Sequence, residues 1–194
     1  YAAPATTAQI STWSGRSQRD VKAALESLVA VSVSVEGMGE AWLLPADVDA
    51  LRAAKPPKGV ATLAFEDNYL VNHGLGAVAD PRHHSIKIDI WGPSKPESIG
   101  EAEHVLSRTI VVDGLIAGYW EVDPKANGAV WTTFEPASKP VAKQIDEATN
   151  DTARFLLAEL GHARAYSLDS MELVQERADK IKKRAARSRD GMLR

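Results

Sequence analysis

Apolar and polar positions in the first fifty residues change rhythm three times. Ile10 and Trp13 stand three apart in a segment that Thr7 can cap, which predicts a short helix facing a core. Ser17 with Asp20 three residues later resembles a capping box and opens a second helix. Val21, Leu25 and Leu28 form its apolar stripe and leave Gln18, Arg19, Lys22 and Glu26 on the outer side. The period then drops to two. Val31, Val33 and Val35 alternate with Ser32 and Ser34, Gly37-Met38-Gly39 turns the chain, and Ala41-Trp42-Leu43-Leu44 pairs back. Pro45 opens a third short helix that runs to Leu51.

Helix, tight turn, helix and ribbon, in that order, make the winged helix-turn-helix plan, which most often sets its second helix on nucleic acid. A module of this kind normally begins with one more helix, and there is no room for it before Thr7. Position 1 is Tyr and not Met. The expectation is therefore a partial winged helix, the C-terminal part of something longer. Its apolar surface around Ile10, Trp13 and Val29 would be left for a missing N-terminal segment or a second chain to cover.

Past the Pro- and Gly-containing stretch at 54–59 the pattern becomes strand-like. Val60 to Phe65 and Ile86 to Trp91 read as strands. Arg108 to Val112 and Leu115 to Val122 flank Asp113-Gly114, a type I′ hairpin signal, and Gly128 to Phe134 follows the Asn127-Gly128 turn. Several short strands closed by tight turns predict a small β-barrel or a curved sheet. Pro140 then starts a long helix in which Val141, Ile145, Ala148, Thr152 and Phe155 repeat on one face, and Gly161 is its stop. A polar, basic helix is expected from Ser170 to Ala186. The fold class is α+β, with a winged-helix module at 1–53, a linker at 54–59, a β-barrel-like domain with its closing helix at 60–161 and a basic extension at 162–194.

Composition narrows the chemistry. With no Cys, disulfides, thiolate zinc sites and a Cys nucleophile are all excluded, which fits a reducing compartment such as the cytoplasm. No apolar run approaches the ~20 residues that span a bilayer, and no signal peptide is visible, so no membrane partner is expected. The net charge of -3 provides no overall basic footprint. Charge is uneven, however. Residues 151–194 carry ten Lys/Arg against seven acids, and the excess is concentrated from Arg177 onward.

Several stretches together resemble one bacterial family. Pro4-Ala5-Thr6 with Trp13-Ser14-Gly15 is similar to the entry into that family's last winged helix, and Leu43-Leu44-Pro45-Ala46-Asp47 resembles the exit from its wing. Thr109-Ile110-Val111-Val112-Asp113-Gly114 with Gly118-Tyr119-Trp120 looks like a hairpin of its C-terminal barrel. Phe134-Glu135-Pro136 and Ala153-Arg154-Phe155-Leu156 resemble its final strand and closing helix. The family is that of winged-helix proteins related to crosslink-repair DNA glycosylases, the AlkZ/YcaQ-like group, and the resemblance spans residues 3–161. It implies tandem winged helices and a barrel around a concave DNA-binding surface. Better-known members excise alkylated or crosslinked bases with a Gln-x-Gln or Gln-x-Asp motif in an N-terminal portion. This chain does not contain that portion, so no catalytic residue is assigned here and excision by this chain alone is not expected. Phe65-Glu66-Asp67-Asn68-Tyr69 is only loosely like the family's Phe-Asp-x-Tyr stretch.

Other constellations carry both a chemical and a structural reading. Gln18-Arg19-Asp20 has the letters Gln-x-Asp, but Asp20 is better read as completing a helix cap. Asp80-Pro81-Arg82-His83-His84 lacks a partner at ligand spacing, so no metal or cofactor is expected. His73, His104 and His162 are isolated and have no Gly-x-Ser-x-Gly support. Glu66 and Asp67 are adjacent and, on a strand, would point to opposite faces. Trp91, Trp120 and Trp131 offer stacking surfaces for a flipped base, although Trp in a small barrel is usually core. The DNA-binding candidates are Arg16, Gln18, Arg19 and Lys22 around the opening of the second helix, and Lys180, Lys182, Lys183, Arg184, Arg187 and Arg189 near the C-terminus, where a mobile basic tail is the competing reading. The expectation is the DNA-channel part of a glycosylase-like protein. The alternative is a non-enzymatic protein-protein or regulatory module, favoured by the acidic balance of residues 1–150.

Overall fold

The computed structural model describes residues 3–72, 74–88, 97–102, 105 and 107–191, with side chains described to residue 186. The chain forms two compact units, one of residues 1–56 with 68–73 and the other of residues 57–67 with 74–194.

In the first unit, helix α1 (Thr7–Ser14) is opened by Thr6 and not by Thr7. Thr6 Oγ1 accepts the Gln9 N–H at 3.1 Å and Gln9 Oε1 accepts the Thr6 N–H at 2.9 Å, a reciprocal capping box. Gln9 was the missed clue, because it stands three residues after Thr6. Gly15 ends the helix at φ 66, and Ser17 opens α2 (Gln18–Ser27). As expected, Ser17 Oγ accepts the Asp20 N–H and donates to the Asp20 carboxylate at 2.8 Å.

Strands β1 (Val31–Val35) and β2 (Gly39–Leu43) pair antiparallel, from Val31 opposite Leu43 to Val35 opposite Gly39. Ala5 adds a bridge to Trp42 on the other edge of β2, exchanging both backbone hydrogen bonds at 3.1 and 2.8 Å. A 3₁₀ turn (Pro45–Asp47) leads into α3 (Val48–Ala53). Helix α4 (Asn68–Val71) belongs to this unit and buries Leu70.

The core of this unit is small: Ala5, Val21, Ala41, Leu43 and Leu70. The expected stripes are only half realised. α1 buries no residue, Trp13 is 64% exposed and Leu28 57% exposed. Periodicity marks the apolar side of a helix, but burial needs a facing element, and within this unit only Val21 of α2 has one.

The second unit is built on an open antiparallel sheet ordered β3-β6-β7-β8: β3 (Val60–Leu63), β6 (Arg108–Val112), β7 (Leu115–Asp123) and β8 (Gly128–Thr133). Asp113 and Gly114 turn β6 into β7 with φ of 50 and 87. Asp113 Oδ1 also accepts the Gly59 N–H at 2.8 Å, which ties the turn to the residues entering β3. A short ladder, β4 (Lys87–Ile88) with β5 (Glu97–Ser98), stands apart from this sheet. The strand expected over Ile86 to Trp91 is realised at Lys87–Ile88, and residues 89–91 lie outside the described residues.

The expected barrel does not close. β3 and β8 are not hydrogen-bonded to each other, and helix α5 (Lys139–Glu159) packs against both instead. A helix over two edges shields their backbone groups without the closing ladder that a barrel requires.

Within α5, Ile145, Thr149 and Ala153 are buried, and Phe155, placed on the inner face by its spacing, is 54% exposed. Gly161 follows the helix at φ 71, as its position predicted. Helix α6 (Met171–Gly191) packs against β7 and β8. The core joins Ile110, Trp120, Val122, Ile145, Ala153, Ala163 and Val174, so both helices contribute to it. Each large apolar side chain of this kind stabilises the fold by roughly 1.5–3 kcal/mol when fully buried. No helix among the described residues is long and apolar enough to cross a membrane.

Candidate nucleic-acid interface

The basic residues expected to meet DNA divide between the two units. On the first, Gln18, Arg19 and Lys22 line a shallow surface of α2 together with Ala23 and Glu26. All three are exposed, because the single buried turn of α2 is at Val21 and these positions fall on the other sides. Arg16 lies apart from them, at the rim of an apolar cavity of about 700 Å³ whose wall includes Ile10, Trp13, Leu25, Leu28 and Trp42. Asp20 is engaged with Ser17 at the helix N-terminus, so the Gln18-Arg19-Asp20 triplet is part of a cap.

On the second unit, Lys180, Lys183 and Arg184 follow one edge of α6, within one turn of each other. They line a cleft of about 530 Å³ with Arg108, Tyr119, Trp120, Glu121 and Arg177. Lys182 points elsewhere. Its Nζ lies 2.6 Å from Asp123 Oδ2 and 3.4 Å from Asp179 Oδ1, so its charge is already paired. The Lys182 ammonium is held above its usual range, first by the hydrogen bond to Asp123. The Arg184 guanidinium sits 5.5 Å over the Tyr119 ring. Arg187 and Arg189 belong to α6, and their side chains lie outside the described residues.

Beneath this edge is a buried ion network that the sequence pattern did not announce. Arg108 Nε donates to Glu121 Oε1 at 2.9 Å, and Arg177 Nε donates to Glu121 Oε2 at 2.6 Å. The two terminal nitrogens of Arg177 hold Asp169 at 2.9 and 2.7 Å. Asp169 also accepts the N–H groups of Ala165 and Ser170. All four residues are at most 5% exposed. The one sequence signal was Glu121 itself, a carboxylate between the apolar Trp120 and Val122. A buried carboxylate requires a cation, but nothing local identifies which one.

The remaining candidates do not converge on a chemical site. Asp80 caps a 3₁₀ turn (Pro81–His83) and pairs with Arg82 at 2.7 Å, which lowers its carboxyl to about 2. His83 Nε2 is 3.2 Å from Glu135 Oε1, and among the described residues no three His, Cys, Asp or Glu form a metal cluster. Glu66 and Asp67 sit in a turn beyond β3, with Glu66 at φ 50, so the strand geometry expected for them does not apply. Trp120 is buried, and its Nε1–H is donated to the Leu63 carbonyl. Trp131 is half-buried and donates to Asp146. Trp91, His73 and His104 lie outside the described residues.

Comparison with known proteins points in one direction. A family model described as DNA glycosylase AlkZ-like matches residues 1–155. Among solved structures, the Streptomyces sahachiroi DNA glycosylase AlkZ is similar, with a TM-score of 0.58 and 24% identity over 78% of this chain. At that identity the likeness is one of fold. The chain spans 39% of the length of that structure. No curated protein matches the chain. α6 lies beyond the residues that the family model matches.

Proposed function

The chain belongs to the AlkZ-like DNA glycosylase family, and on that premise we propose that it is a DNA-contacting part of a base-excising repair protein. In this reading α1, α2 and the β1–β2 ribbon act as a winged helix, with Gln18, Arg19 and Lys22 meeting the phosphate backbone. The basic edge of α6 provides a second set of backbone contacts. The residues that excise the base belong to a part of the family architecture outside this chain. The family match over residues 1–155 carries the reading. The exposure of Arg19 and Lys22 and the charge of α6 support it.

A mobility-shift titration of duplex DNA at increasing salt tests the proposal. Backbone contacts release counterions, so affinity falls linearly on a log-log scale by about 0.9 per phosphate neutralised. No binding even at low salt overturns it. Base release is not expected from this chain alone, and a glycosylase assay that detects it would relocate the catalytic residues.

The apolar cavity of the first unit favours a second reading, a protein-contact module. Trp13 and Leu28 on its wall are both more than half exposed, and apolar patches of this kind mark interaction surfaces. In this reading another part of the protein, or a second chain, packs on this face. Retention of DNA binding after Arg19→Ala and Lys22→Ala substitution, together with its loss after Lys180→Ala, Lys183→Ala and Arg184→Ala substitution, would favour this reading for the first unit.

A further inference from the structure

The cleft over β6, β7 and α6 has a composition that an interface merely decorated with lysines lacks. Five of its lining side chains are cationic, Arg108, Arg177, Lys180, Lys183 and Arg184, and Glu121 alone is anionic. Its floor is fixed. Arg108, 5% exposed, donates through Nε to Glu121 and through Nη2 to the Ala163 carbonyl at 2.7 Å. Among the described residues nothing accepts from Arg108 Nη1. A guanidinium clamped through two nitrogens, with a third left at a cleft wall, is a donor held in place before a ligand arrives.

Charge points to the ligand's sign and size. Glu121 and Asp169 offset the two buried arginines, and three cations then remain on α6. Lys180, Lys183 and Arg184 make no ion pair among the described residues. Their i, i+3, i+4 spacing gathers them within one turn, about 5–6 Å apart. This excess exceeds what a single carboxylate neutralises and matches a phosphate group, which accepts several charge-assisted hydrogen bonds at once. A base is not the ligand, because Tyr119 and Trp120 are 6% and 1% exposed and offer no open ring face for stacking.

We propose that this cleft is a phosphate-binding site, with Arg108 as its fixed donor and Lys180, Lys183 and Arg184 as its clamp, and that the phosphate it takes belongs to a nucleic-acid backbone. The nucleic-acid source rests on the DNA-binding reading above; the phosphate chemistry does not. The cleft depends on α6, which lies outside the family-matched residues.

The test uses the full chain in two arms. Inorganic pyrophosphate is titrated while backbone and arginine side-chain NMR signals are followed. A fluorescent duplex is titrated separately at several salt concentrations. In the first arm the site predicts saturable shifts at Arg108, Lys183 and Arg184, lost in a Lys183→Ala/Arg184→Ala variant. In the second it predicts that this variant binds duplex about tenfold more weakly and with a salt slope smaller by about two. Pyrophosphate shifts without any duplex binding would leave the phosphate site standing, and would overturn both its nucleic-acid source and the proposed function. Duplex binding with no pyrophosphate shifts in the cleft, and no change in the variant, would overturn the site together with the α6 contacts, and would leave the proposed function resting on Gln18, Arg19 and Lys22. Should the double variant fail to fold, the pyrophosphate shifts in the unaltered chain decide the matter.

Discussion

Arg177 of α6 and Glu121 of β7 meet at 2.6 Å across 56 residues of chain, and each is at most 5% exposed. Glu121 shares its other oxygen with Arg108, and Arg177 shares its terminal nitrogens with Asp169. Two positive and two negative groups are thereby removed from water together. Such a set roughly breaks even against an apolar core, but losing one member leaves a buried charge unpaired. The network therefore seats α6 on the sheet more than it adds net stability, and it holds the cleft floor rigid.

Glu121→Gln places two buried guanidiniums against a neutral amide. The expected loss is about 3 kcal/mol, read from urea denaturation. A loss under about 1 kcal/mol would mean that the two arginines find water or another acceptor.

Acid should expose the same network. Burial pushes the Asp169 carboxyl up, but hydrogen bonds from Arg177, Ala165 and Ser170, with the Arg177 charge, outweigh it and hold the group below its usual 3.8. For Asp123, burial again raises the carboxyl, and the hydrogen bonds from Lys182 and Gln175 reverse the balance. A carboxyl depressed in the folded state contributes stability that is present above its unfolded value and lost as pH falls through its folded one. Denaturation midpoints should thus be flat from pH 7 to about 5 and fall below about 4. Asp169→Asn should lower the plateau and shallow the acid limb. An equally steep limb in that variant would place the titrating groups elsewhere.

Gly118 is where β7 approaches β8 too closely for a side chain. A Cβ there would lie 2.1 Å from the Thr132 carbonyl oxygen and 2.7 Å from the Thr133 Cα. Both are backbone atoms in a paired strand and cannot swing away. Gly118→Ala should cost about 2–3 kcal/mol. Weakened amide protection at Thr132 and Thr133 would locate the damage.

Residues at helical spacing within α5 differ in their cost of truncation. Ile145 is fully buried, and Ile145→Ala should cost about 3 kcal/mol. Phe155 is more than half exposed, and Phe155→Ala should cost under about 1 kcal/mol. In the first unit Val21 and Trp13 should divide the same way, unless another chain covers Trp13 in the purified protein. A large loss from Trp13→Ala would signal that partner.

Elements with a local cause were legible from residue order. Asp113-Gly114 in one hairpin turn and Asn127 in the other supply positive φ, and Gly161 supplies it after α5. Ser17 with Asp20 states the start of α2 in one turn of chain. The start of α1 was placed one residue late, because Thr6 and Thr7 are adjacent candidates and only the reach of Gln9 separates them. The candidate lysines and arginines were also legible as charge. Their division into paired Lys182 and uncommitted Lys180 and Lys183 was not, because Asp123, the partner that decides it, is 59 residues from Lys182.

Residue order alone thus established the kinds of element, their sequence along the chain and the turns that join them. Those depend on backbone preferences acting over a few residues. Three matters waited for tertiary contacts: the open sheet covered by α5 in place of a barrel, the outward turn of Trp13 and Phe155, and the burial of Arg108, Glu121, Asp169 and Arg177. Periodicity says which side of an element is apolar and never what will face it. A buried charge becomes tolerable only through partners that lie tens of residues away. The arrangement that shapes the α6 cleft is of this second kind, and it follows from the way helix and sheet meet.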